Sequence, residues 1–158
     1  MYSNKLILDL LHYIDKNLYK QITTQELSDY FFYNKDYIMR LFKREIGTTI
    51  IGYILRKRVY LSLKNLEYTN NSILYISLQF GFSSQEYYSE TFRRFMSCSP
   101  STFRKFTKHD YSIHDKQANE IRNSLVHLNT FFLSVEKYSH NVNTHSQTKI
   151  LSIFQNKK

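Results

Sequence analysis

Lys35, Asp36, Met39, Arg40, Lys43 and Arg44 lie within ten residues whose apolar positions, Ile38, Leu41 and Phe42, follow helical spacing. With those three turned inward, the polar set forms one outer face rich in hydrogen-bond donors. A second stretch repeats the plan, with Ser84, Gln85, Glu86, Tyr87, Arg93 and Arg94 outside Tyr88, Phe92 and Phe95. Faces of this kind recognise phosphates and base edges and carry out no bond chemistry. The six histidines show no His-Glu-x-x-His spacing, no Gly-rich phosphate loop is present, and Cys98 is the only cysteine. The sequence therefore gives no ground for an enzyme, a bound metal or a cofactor.

Charge points the same way. The chain has 158 residues with 22 Lys and Arg against 13 Asp and Glu, a formal charge of +9. Residues 1–108 hold net +7 of this and residues 109–158 net +2. A basic balance favours a polyanionic partner and says nothing about fold. The lone cysteine suits a reducing compartment, and no basic n-region precedes a long apolar core at the start. The expectation is a cytoplasmic protein with neither signal peptide nor membrane span.

Three glycines and one proline leave little to interrupt helices, so the predicted fold is all-α. Ile7, Leu10, Leu11, Ile14 and Leu18 mark the buried face of a first helix. Thr23 with Glu26 is a capping-box pair opening a short second helix to about Tyr30, and Asn34 can cap a third. After Gly47 a connecting helix over about 49–68 follows, with Tyr53, Ile54, Val59, Leu63 and Leu66 apolar and Arg56, Lys57 and Arg58 expected in solvent. Ser72 or Asn71 opens the next short helix, Gly81-Phe82 makes a turn, and Ser83 with Glu86 reads as a second capping box. Ser99-Pro100 starts a last short helix with Phe103 and Phe106 inward. The result is two helix-turn-helix units, at about 22–47 and 72–96, followed by a helix at 99–107.

The order Leu27-Ser28, Arg40-Leu41-Phe42-Lys43, Gly47, Tyr53-Ile54, Ile76-Ser77, Phe80-Gly81-Phe82, Tyr87-Tyr88, Thr91-Phe92-Arg93, Ser99-Pro100 and Phe103-Arg104 resembles the DNA-binding domain of AraC/XylS-family transcriptional regulators. The resemblance covers residues 5–108. It implies two helix-turn-helix subdomains joined by a long helix, each sending a recognition helix into successive major-groove segments of double-stranded DNA. It also implies transcription regulation, mostly activation.

On that basis Lys35, Asp36, Met39, Arg40, Ser84, Gln85, Glu86 and Tyr87 are the expected base contacts. Asn34, Lys43, Arg44, Ser83, Arg93, Arg94, Arg104 and Lys105 are the expected phosphate contacts. Arg40 either reads guanine, clamps a phosphate or pairs with Asp36, and Glu86 either caps its helix or accepts from cytosine. Three positions depart from the family pattern: Phe32 where a small residue is usual, Ser97 for glycine, and Glu90 for a basic residue. They imply a different first turn and a weaker second reading head.

Residues 111–158 lie beyond the resemblance and read as a helical extension with a polar, partly mobile end. Ile121, Leu125, Leu128, Phe132 and Val135 step by four and three. Such a seam either joins two copies in a homodimer or packs on the same domain. The competing functional expectation is a co-regulator that uses the scaffold or this helix to bind another regulator or RNA polymerase.

Overall fold

The computed structural model describes residues 2–110 and 113–155, with side chains over 4–110 and 113–143. Its helices are α1 (Tyr2–Lys16), α2 (Thr24–Phe31), α3 (Lys35–Ile46), α4 (Ile50–Tyr68), α5 (Ile73–Gln79), α6 (Gln85–Met96), α7 (Pro100–Thr107) and α8 (Asp115–Gln155). The pairs α2–α3 and α5–α6 form the two helix-turn-helix units, and α4 joins them. Capping residues set most boundaries. Thr23 Oγ1 accepts from the Glu26 amide at 3.1 Å while the Glu26 carboxylate accepts from the Thr23 amide at 3.5 Å. Asn34, Thr49, Ser72 and Ser99 cap α3, α4, α5 and α7 through their side chains, each stabilising its helix by about 1 kcal/mol.

Helix α4 runs through the core. Its Tyr53, Ile54, Val59, Leu63 and Leu66 are buried, as are Ile38, Leu41 and Phe42 from α3 and Tyr88, Phe92 and Met96 from α6. Phe42 meets Tyr53 edge-on at 5.7 Å between centroids. Ser62 Oγ donates to the Val59 carbonyl and accepts from Tyr88 Oη at 2.8 Å, so the one hydroxyl pair between α4 and α6 is satisfied.

The basic run on α4 departs from its expected solvation. Arg58 is 7% exposed. Its Nε donates to the Leu18 carbonyl at 2.8 Å, Nη2 to Lys20 at 2.7 Å and Nη1 to Gly81 at 2.7 Å. The guanidinium thus ties the segment ahead of α2 to the turn of the second unit. Arg56 is half-buried against the rings of Phe131 and Phe95, and Lys57 pairs with Asp15. Gly81 is required at this junction twice over. Its φ is +77°, and a Cβ there would lie 2.7 Å from the Tyr19 carbonyl oxygen.

Each unit carries two residues in left-handed conformation, one glycine and one not: Phe32 and Gly47 in the first, Gly81 and Ser97 in the second. Of the two differences the Phe32 substitution implied, in geometry or in packing, the structure shows the second: Phe32 keeps the left-handed geometry that glycine adopts in the other unit, but its ring stands in solvent where Gly81 packs against Tyr19. The Tyr33 amide donates to the Ser28 carbonyl and Ser28 Oγ donates to the Tyr33 carbonyl at 2.7 Å, which holds the turn shut. The Phe32 ring gains nothing in return, being 93% exposed. Left-handed geometry costs a side-chain-bearing residue roughly 1–2 kcal/mol, and glycine returns part of that gain as backbone entropy. Phe32→Gly is expected to raise stability by about 1 kcal/mol, read as a higher urea midpoint; an unchanged or lower midpoint would contradict the strain.

The extension is one helix, α8, over Asp115–Gln155. The 4-3-4-3 seam faces inward. Ile121, Leu128, Phe132 and Val135 are buried and Leu125 is half-buried against the same core as the helix-turn-helix units. Phe132 lies 4.7 Å from the Tyr60 ring and 6.1 Å from Tyr53. The seam thus packs on the same domain, the second of the two expected arrangements, with its apolar face turned to the chain's own core. Residues 111, 112 and 156–158 of the expected extension lie outside the described residues.

Candidate nucleic-acid interface

Helix α3 is positioned by its apolar face and by its cap. Asn34 Oδ1 accepts from the Asp36 and Tyr37 amides at 2.9 and 3.3 Å. The cap occupies the amide oxygen and leaves the Nδ2 donors for a phosphate. Lys35, Asp36, Arg40, Lys43 and Arg44 are exposed and Met39 is half-buried. The intrahelical pair considered for Arg40 does not form: the described ion pairs are Arg44 with Glu45 and Lys57 with Asp15. Arg40 thus presents a whole guanidinium fork to the outside, suited to a guanine edge or to a phosphate. Arg44 is held at 2.7 Å by its neighbour Glu45, which reduces its charge toward a distant phosphate.

Tyr37 belongs on this face although the sequence reading passed over it. It is 39% exposed and stacks on Tyr33 at 5.8 Å with 22° between planes. Its signal was its place directly beside Asp36 and three residues before Arg40. An aromatic residue near a buried stripe reads as core until the wheel is drawn.

On the second unit the cap slips by one residue. Ser84, and not Ser83, caps α6, its Oγ accepting from the Tyr87 amide at 3.1 Å with extended backbone at Ser84. The Ser-x-x-Glu box of Ser83 and Glu86 is therefore absent. Either of two adjacent serines can cap a helix through its hydroxyl, and the Ser83–Glu86 spacing did not decide between them. Ser84 keeps its hydroxyl hydrogen and one lone pair for a base. Glu86 is released from capping and stands exposed on the first turn beside Gln85.

Tyr87 is 38% exposed and packs its ring against Phe82 at 5.7 Å. Ser83, Arg93, Arg94, Lys105 and Glu90 are exposed. Arg104 leaves the phosphate set. It is half-buried, with Nη2 donating to the Asn71 carbonyl at 2.6 Å and Nε to Leu66 at 3.3 Å, and so ties off the end of α4. Cys98, at the end of α6, is buried and its thiol is pushed up to about 12 by desolvation, which makes it inert.

Two helix-turn-helix units on one rigid connector, each exposing the polar face of its second helix, define a DNA-binding protein. The "Helix-turn-helix domain" family profile matches residues 27–105, half of the chain, which takes in both units. The chain belongs to this AraC-type helix-turn-helix family of DNA-binding transcription regulators. It is 29% identical over 108 residues to the uncharacterized HTH-type transcriptional regulator YbfP of Bacillus subtilis, covering 68% of this chain and 37% of YbfP. It is 27% identical over 103 residues to the HTH-type transcriptional activator AarP of Providencia stuartii, covering 65% of this chain and 76% of AarP. Among solved structures, an AraC-type transcriptional regulator from Chromobacterium violaceum superposes with a TM-score of 0.60 at 27% identity, over 66% of this chain and 94% of that one. The DNA-binding domain of AdpA in complex with a target DNA gives 0.61 at 18% identity, over 68% and 97%, and shares the fold.

Proposed function

We propose that this chain selects one duplex DNA sequence and activates transcription from it, with α3 and α6 in successive major-groove segments. The observation that carries the reading is the α3 outer face, where Lys35, Arg40 and Lys43 are exposed and make no ion pair while the opposite face is wholly spent on the core. The 19-residue α4 is about 28 Å long at 1.5 Å per residue, of the order of the 34 Å that separates neighbouring major-groove segments on one face. Base reading is assigned to Lys35, Asp36, Met39, Arg40, Ser84, Gln85, Glu86 and Tyr87. Phosphate anchoring is assigned to Asn34, Lys43, Ser83, Arg93, Arg94 and Lys105. Activation is supported by the likeness to AarP, a transcriptional activator, and the cytoplasm is the site proposed for it, with its DNA.

A protein contact accompanies DNA reading in this proposal. Tyr68 at the end of α4 and Leu74, Tyr75 and Leu78 on α5 are 49–75% exposed, apolar surface outside α3 and α6 that suits a protein partner such as RNA polymerase. The DNA reading is tested by anisotropy titrations against a sequence selected from a random pool and against bulk duplex. Selected DNA is expected to bind about a thousandfold tighter, with log affinity falling against log salt by about 0.9 per phosphate neutralised. Equal affinity for both duplexes at moderate salt would overturn the proposal.

A further inference from the structure

Helix α8 lies outside the residues matched to the family, yet it touches the far ends of both reading helices. At the end of α6, Ser124 Oγ lies 3.0 Å from Oγ of Ser97, the left-handed residue that stops that helix. At the end of α3, Tyr138 Oη donates to Glu45 Oε2 at 3.4 Å. Between these points Phe131 stacks on Arg56 of α4 at 4.2 Å, and the same guanidinium lies 5.2 Å from the Phe95 ring of α6. Phe131 and Phe132 also pack on Tyr53 at 6.3 and 6.1 Å. Ser124 and Tyr138 are fourteen residues apart on one uninterrupted helix, about 21 Å at the α-helical rise.

We infer that α8 is a brace that fixes the separation and relative orientation of the two reading helices, and so sets the one spacing of base contacts this chain accepts. The Arg58 junction ties the two units at one point, the Gly81 turn, and a tie at one point still allows a pivot about it, because α4 resists bending but does not by itself restrain the far ends of α3 and α6. A second stiff element fastened to both units removes that pivot. The buried seam supplies the fastening energy: Ile121, Leu128, Phe132 and Val135 are each less than a tenth exposed. Phe131 and Tyr138 act as positioning residues, touching α4 and the last turn of α3 without reaching the outer faces that meet DNA.

The spacing consequence rests on the proposed DNA reading, whereas the brace itself does not, and the test separates them. Spin labels are placed at Lys35→Cys and Gln85→Cys, the first residues of α3 and α6, in the full chain; buried Cys98 takes no label. The distance distribution without DNA is expected to be narrow, and to broaden when Phe132→Asp and Val135→Asp release the distal half of α8. In parallel, one base pair inserted between the two contact segments displaces the second by roughly a tenth of a turn. Insertion is expected to cost the unsubstituted chain about 100-fold in affinity and the released variant less than about tenfold. If the double aspartate variant loses helical circular dichroism, Phe131→Ala with Tyr138→Ala decides on the same two readouts. A folded variant with an unchanged label distribution and an unchanged insertion penalty overturns the brace. A broadened distribution in a chain that shows no sequence preference supports the brace and overturns the DNA reading.

Discussion

Arg58→Ala is expected to destabilise the chain by about 3–5 kcal/mol, because it strands three carbonyls at a buried junction. The acceptors come from Leu18, Lys20 and Gly81, and they converge on the guanidinium from two separate segments. Burial lowers the Arg58 pKa from its ordinary value, yet the group has no carboxylate partner among the described ion pairs and is held by carbonyl dipoles instead. An ammonium cannot present donors in the three directions of the fork, so Arg58→Lys should recover less than half of the loss. Thermal unfolding reads the effect as a fall in Tm of about 10 °C or more. A fall of less than about 2 °C would show that water replaces the guanidinium and that the junction is not a buried lock.

Arg58 also marks where the sequence stops being legible. Its neighbours Arg56 and Lys57 make the run look like a solvated face, and nothing within a helical turn announces carbonyls 23, 38 and 40 residues away. Arg104 escapes in the same manner, since its acceptors lie 38 and 33 residues back. Both contacts are long-range and both accept from backbone, which carries no residue-type signal. The units themselves were legible because their determinants are local: Thr23 with Glu26, Asn34 at a cap, Gly47 and Gly81 at left-handed positions, and apolar residues at three and four. The cap of α6 shows the resolution of that reading, because Ser83 and Ser84 are both able to cap and the one with the box spacing is not the one that does.

The seam on α8 illustrates a different boundary. A 4-3-4-3 stripe states that a face is buried and is silent about whose surface buries it. Here the domain offers the rings of Tyr53 and Tyr60 to Phe132 and the Arg56 guanidinium to Phe131, and the stripe settles on its own chain. Periodicity gave the helix and its inward face; the partner became visible only with the fold.

Arg40→Ala and Arg93→Ala are expected to weaken DNA binding in different ways, and the difference assigns selection to the first head. Arg40 stands unpaired at the middle of the α3 outer face, flanked by Asp36, Lys43 and exposed Tyr37. Its removal should erase about 1–3 kcal/mol of discrimination at one base position while leaving non-selected DNA nearly unaffected. Arg93 lies in the last turn of α6, remote from the N-terminal residues that approach base edges. Its loss should weaken every duplex by a similar factor and lower the salt slope by about 0.9. The α6 face carries two uncompensated carboxylates, Glu86 on its first turn and Glu90 one turn later, now that the cap has passed to Ser84. Carboxylates beside phosphates repel, so Gln85→Ala should cost less discrimination than Arg40→Ala. Binding of both duplexes with the unsubstituted and substituted chains, over a range of salt, separates these effects. A uniform loss across sequences for Arg40→Ala would make it a phosphate clamp, and a larger selective loss for Gln85→Ala would move selection to the second head.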